Sequence, residues 1–253
     1  MALITLESKS HALGKATTVR IILPDWAKPP YPTLYLLHGL SDNESIWTRR
    51  TALERYAEDY PFLIVMPDAG RFWYSDTLIS KCETFIAKEL VDYVDRFLPT
   101  RRQRRYRAIG GLSMGGYGAM KIGLKHSRRF GAVACHSSAF FPPDRRPEDF
   151  TDDPGLAHLA SPAFEPGDNV YVLAEKCPAK VRPAVYFDCG RQDFLLTQNE
   201  DFHRHLRKLR IPHTYKRFDG EHNWAYWDTH IQDALRFLAQ TMRLGAVASR
   251  KAN

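Results

Sequence analysis

The chain has 253 residues, 44% of them hydrophobic, 26% charged and 12% aromatic, enough to bury one large core without covalent staples. No apolar run approaches the ~20 residues that span a bilayer. The four cysteines are far apart and form no C-x-x-C pair, a pattern that argues against a disulfide framework or a metal site. The net charge of +7 draws much of its excess from Arg101-Arg102-Gln103-Arg104-Arg105. That run has no interleaved aromatics and no helix-turn-helix, RRM or zinc-finger pattern beside it, so it reads as a solvated loop rather than a grip on nucleic acid.

The first residues lack the charged-then-apolar layout of a secretory signal, so a cytoplasmic protein is expected. Residues 2–7 and 17–23 read as an antiparallel opening pair of strands, followed by a proline-rich connection over 24–32. Residues 33–40 and 62–66 are nearly continuous apolar runs, the signature of strands buried on both faces, with a short helix expected between them over 52–59. Apolar residues at Ile86, Leu90, Tyr93, Val94 and Phe97 share one helical face, and Pro99 ends that helix. Further strands are predicted over 106–109, 132–135, 183–187 and 213–218. Helices are predicted over 117–125, 200–209 and 224–244, with the basic tail fraying beyond. The alternation gives an α/β domain over residues 1–253, with a mostly parallel central sheet and helices on both faces. The segment 137–182, rich in proline, exceeds what a crossover needs. It is expected to carry a helix over 170–175 and to form either a partial cap at the substrate pocket or an irregular crossover.

Between the predicted strand at 106–109 and the helix at 117–125 lies Gly110-Gly111-Leu112-Ser113-Met114-Gly115-Gly116. This G-x-S-x-G, set between a strand and a helix, predicts a sharp elbow that lifts the Ser113 hydroxyl above the sheet edge. A serine needs a base to take its proton and an acid to orient that base. Around such an elbow the chain order is serine, acid, histidine. Asp193 lies in the loop after the strand at 183–187, with Asp188 as the rival that ends the strand. His222 lies in the loop before the closing helix, with His136, at the end of the strand next to the elbow, as a weaker rival. Backbone donors for an oxyanion are expected from Met114, directly after the serine, and from Leu40 in His38-Gly39-Leu40-Ser41, which His38 would hold in shape.

Four stretches carry a resemblance to a known family. They are Leu36-Leu37-His38-Gly39-Leu40, Gly111-Leu112-Ser113-Met114-Gly115-Gly116-Tyr117-Gly118, Asp188-Cys189-Gly190 through Asp193-Phe194, and Gly220-Glu221-His222-Asn223-Trp224. Together and in this order they resemble the esterase D-like branch of the α/β-hydrolases, which includes tributyrin-type acetylesterases, S-formylglutathione hydrolases and feruloyl esterases. Phe72-Trp73-Tyr74-Ser75-Asp76 looks most like the tributyrin esterase group.

The resemblance implies an α/β-hydrolase fold and a Ser113, Asp193, His222 triad. The activity it implies is a serine carboxylesterase acting on short acyl esters, with S-formylglutathione hydrolase or feruloyl/acetyl-xylan-type esterase as alternatives. An acyltransferase and a non-catalytic hydrolase-like binding protein are the further options. No cofactor and no metal are expected. The expected partner is a small-molecule ester, with no nucleic acid and no membrane, and the sequence does not decide between a monomer and a homo-oligomer. Trp47, Trp73 and Phe194 are the candidate pocket residues, with Phe72, Phe140 and Phe141 as further aromatics near the strand tips.

Overall fold

The two nearly continuous apolar runs, 33–40 and 62–66, become neighbours in the middle of one eight-stranded sheet. The computed structural model describes residues 1–149 and 151–244. The strands are β1 (Ala2–Ser10), β2 (Lys15–Leu23), β3 (Thr33–Leu37), β4 (Leu63–Pro67), β5 (Arg107–Leu112), β6 (Ala132–His136), β7 (Ala184–Gly190) and β8 (Thr214–Phe218). Their order is β1-β2-β4-β3-β5-β6-β7-β8. The β1–β2 and β2–β4 pairs are antiparallel and every later pair is parallel. The predicted tail beyond residue 244 lies outside the described residues.

Strand alternation explains why helices are needed on both faces. Tyr35 and Leu37 of β3 join one apolar cluster, while Leu34 and Leu36 join the other. The second cluster is covered by α1 (Ile46–Arg50), α2 (Leu53–Ala57) and, later in the chain, the long closing helix Trp224–Thr241. The first is covered by further helices. Cys82–Thr84, a π-helical turn Phe85–Glu89 and Leu90–Phe97 run on as α3, and Met114–Lys125 forms α4. Within 137–182 lie α5 (Pro154–Ala160) and α6 (Val170–Lys176). Then come α7 (Leu196–Lys208) and the closing helix, here α8. The sequence pattern omitted α5, which starts at Pro154 behind an Asp153 side chain that accepts from the Gly155 and Leu156 amides, a local N-cap that periodicity does not register.

The elbow strand runs to Leu112, past the expected end at residue 109. Gly110 and Gly111 pair with Leu36 and Leu37 of β3 on one side and with Ala134 and Cys135 of β6 on the other, so these glycines belong to the sheet and not to the turn. The segment 137–182 is tied to the elbow helix by a buried charge cluster. Lys121 is fully buried and lies 3.0 Å from both Glu83 and Asp168, while Tyr117 donates to the Asp168 carbonyl. The basic run is structural too. Arg104 donates to carbonyls of Ser127, Val181 and Arg182, and Arg101 and Arg105 lie over the Tyr106 ring.

Candidate active site

The parallel strands β5, β7 and β8 end at one edge of the sheet, and the loops that follow them carry the three residues picked out by chain order. Ser113 adopts φ 55°, a left-handed conformation rare outside glycine, held by its setting. Its N–H donates to the His136 carbonyl at 2.9 Å and its own carbonyl accepts from Tyr117 N–H at 3.0 Å. A side chain at Gly115 would run into the carbonyls of Leu37 and His38, so α4 sits this close to β3 only because glycine is there.

His222 Nε2 lies 3.0 Å from Ser113 Oγ, and His222 Nδ1 lies 2.9 and 3.0 Å from the two oxygens of Asp193. A carboxylate only accepts, so Nδ1 carries the proton and Nε2 is left as the acceptor for the serine hydroxyl. Burial pushes the Asp193 carboxyl up. The hydrogen bond and charge of His222, the Ser137 hydroxyl and the Leu195 amide outweigh it and hold the group below the usual carboxylate value. His222 is flanked by Phe194 at 4.5 Å and by Trp227, edge-on, at 4.9 Å between ring centroids.

Leu40 and Met114 line the same cavity as Ser113. Met114 opens α4, so its amide is one of those without an intrahelical acceptor, and among the described residues Leu40 N–H donates to nothing. His38 shapes this loop as expected. It accepts from Ala69 N–H at Nε2 (3.1 Å), which places its proton on Nδ1, where it donates to the Gly39 carbonyl at 2.7 Å. Burial lowers its pKa against that bond and the charge of Asp68, so the ring stays neutral.

The cavity above Ser113 measures about 420 Å³, within the range of small-molecule sites. Its walls include Trp73, Phe194, Trp224 and Trp227, with Asp42 and Arg50 at the polar side. Trp73 and Phe194 therefore line it. Trp47 does not: α1 turns its indole inward, where it is fully buried, donates to the Leu37 carbonyl and packs edge-on against Trp224. Phe140 is core, packed on Phe187 and Phe202. Phe72 lines a different cavity beside Leu78 and Ile79. Phe141 backs Trp73 from behind at 5.5 Å, and of the described residues in 137–182 only Ala139 faces the Ser113 cavity.

Two features escaped the sequence. Trp227, one turn into α8, reaches back with its indole N–H to Ser137 Oγ at 3.1 Å, and no motif announces it. Ser137 itself has φ 46° and follows directly on β6. The rivals are not part of the Ser113 constellation. His136 and Asp188 are instead paired with each other at 2.8 Å, both fully buried.

Comparison with known proteins places the chain among esterases. The family described as "Putative esterase" matches residues 10–238. An acetyl esterase of Caldicellulosiruptor saccharolyticus is 28% identical over 265 residues, covering 95% of this chain and 99% of that protein. A fluorophosphonate-binding serine hydrolase of Staphylococcus aureus is 31% identical with a TM-score of 0.82, covering 94% of this chain and 98% of its own. An S-formylglutathione hydrolase of the same organism is 28% identical, also with a TM-score of 0.82 over 94% and 98% of the two chains.

Proposed function

The chain belongs to the esterase family and has the α/β-hydrolase fold, and from that premise we propose that it is a serine carboxylesterase working through an acyl-enzyme on Ser113, with short acyl esters as substrates. The observation that carries the reading is the unbroken line from Ser113 Oγ to His222 Nε2 (3.0 Å) and from His222 Nδ1 to Asp193 (2.9 Å). Ser113 Oγ attacks the ester carbonyl as its proton passes to His222 Nε2. Asp193 stabilises the imidazolium, and the amides of Leu40 and Met114 receive the oxyanion. Collapse breaks the bond to the alcohol, which leaves with the proton from His222. Water, deprotonated by the same histidine, then releases the acid and restores the serine. No step calls for a metal or a cofactor.

The modest cavity with tryptophan and phenylalanine walls supports a short acyl group. The segment 137–182 supports the pocket wall rather than covering it: Phe141 packs against Trp73, and of its described residues Ala139 alone lines the cavity. Four buried free thiols support a reducing, cytoplasmic setting. A substrate panel tests the reading. p-Nitrophenyl acetate and butyrate should be hydrolysed with a burst and octanoate more slowly, and Ser113→Ala should remove the activity. Undiminished turnover in that variant would refute the assignment.

One observation favours a second reading, an S-formylglutathione hydrolase. Among the described residues Arg50 is the one fixed positive charge lining the cavity, suited to an anionic thioester. A kcat/KM for S-formylglutathione well above that for the acetate ester would select it.

A further inference from the structure

Beside the Ser113 constellation lies a second aspartate–histidine pair. His136 and Asp188 are register partners at the ends of β6 and β7, and neither side chain is exposed. Asp188 accepts from three donors: His136 Nδ1 at 2.8 Å, Tyr186 hydroxyl at 2.8 Å and Tyr226 hydroxyl at 2.9 Å. His136 Nε2 is buried and has no partner among the described residues. A carboxylate only accepts, so the His136 Nδ1 proton faces Asp188.

The pair is joined to three parts of the active site by short bonds. The His136 carbonyl receives Ser113 N–H at 2.9 Å, the first backbone contact of the elbow. The Asp188 carbonyl receives Ser137 N–H at 2.8 Å, on the residue whose hydroxyl takes the Trp227 indole proton. The third link is Tyr226, in the first turn of α8. Its N–H is capped by the Asn223 side chain, and its ring packs against Gly220, the φ +140° residue of the loop that carries His222. Tyr186 differs, since it lies two residues before Asp188 on the same strand and its bond spans no other part of the fold. Burial first, and then the Asp188 charge, push both tyrosines up, so both hydroxyls act as donors.

We propose that the buried His136–Asp188 pair is a positioning centre that fixes the elbow carrying Ser113 against the loop carrying His222, with Tyr226 as its link to the histidine. The inference rests on Ser113 and His222 being nucleophile and base. The pair touches no reacting atom. It acts by keeping the Ser113–His222 separation within reach of proton transfer, where a displacement of about 1 Å costs on the order of 10²-fold in rate.

The test compares two deletions at one carboxylate. Tyr226→Phe and Tyr186→Phe each remove one hydroxyl from Asp188, and kcat and KM on p-nitrophenyl butyrate are measured beside Tm. The expected result is a fall in kcat of about tenfold for Tyr226→Phe with KM within about twofold, and a clearly smaller fall for Tyr186→Phe at a similar Tm. Equal kcat losses in the two variants would overturn the proposal, because a merely structural carboxylate would not distinguish its donors. Should either variant fail to fold, Asp188→Asn decides in its place. The carboxamide keeps an acceptor oxygen, and its kcat should fall while KM holds; an unchanged kcat in folded Asp188→Asn would also overturn the proposal. Absence of any hydrolysis by the native protein would instead remove the esterase reading itself, so the two failures are distinguishable.

Discussion

Two aspartate–histidine pairs sit on neighbouring strand ends of this sheet and have different fates. The His136–Asp188 pair is sealed, with no exposure of either side chain, and among the described residues His136 Nε2 meets no partner. In the His222–Asp193 pair the carboxylate is sealed but the histidine side chain keeps 17% of its surface open and meets Ser113 Oγ. An acid orienting an imidazole is common to both. Chemistry requires two additions that only the second pair has: a hydroxyl at the free nitrogen and a cavity for the ester beside it.

The contrast is broken most severely by removing the hydroxyl. Ser113→Ala should lower kcat by about 10⁶, and His222→Ala by a similar factor, measured as initial rates on p-nitrophenyl butyrate. Asp193→Asn should cost about 10⁴ by presenting the wrong tautomer. If Asp188→Asn cost as much as Asp193→Asn, the division of labour between the pairs would be wrong. Leu40→Pro removes the backbone donor that the sealed pair has no counterpart for, and should cost about 10²–10³ in kcat.

A smaller effect separates native from Asp193→Asn protein in acid. The Asp193 carboxyl is lowered in the folded state. Its ionised form therefore contributes stability above the unfolded carboxylate pKa of about 4, and that stability is lost as pH falls through the lower folded value. Thermal unfolding followed from pH 5 downward (about one unit above that reference pKa) should decline less steeply in Asp193→Asn than in the native chain. An identical slope would mean the carboxyl is not held down by His222. The smallest effect is expected at Phe194, 67% exposed beside the histidine. Phe194→Ala should raise KM by less than about tenfold and leave kcat unchanged.

The sequence made the open pair readable because strand–loop order is a one-dimensional property. Ser113, Asp193 and His222 each follow a recognisable strand, and G-x-S-x-G marks the turn. Central strands were readable for a related reason, since burial on both faces writes continuous apolar runs into β3 and β4. The pocket was harder. Trp47 and Trp73 are both aromatics near strand tips, and only the inward turn of α1 separates a core indole from a wall. His136 and Asp188 each end a strand, but their pairing depends on β6 and β7 being adjacent in register, which periodicity does not encode. Ser137, Trp227 and Tyr226 act across the gap between β6 and α8, a distance in sequence that no local pattern bridges.

The most direct test of the central claim is covalent. The native protein is treated with an organophosphonate that reacts with activated serines, then digested and examined by mass spectrometry. One adduct is expected, on Ser113, with hydrolysis lost in step with labelling and no labelling in His222→Ala over the same interval. Labelling at another residue, or hydrolysis that persists in fully labelled protein, would contradict it.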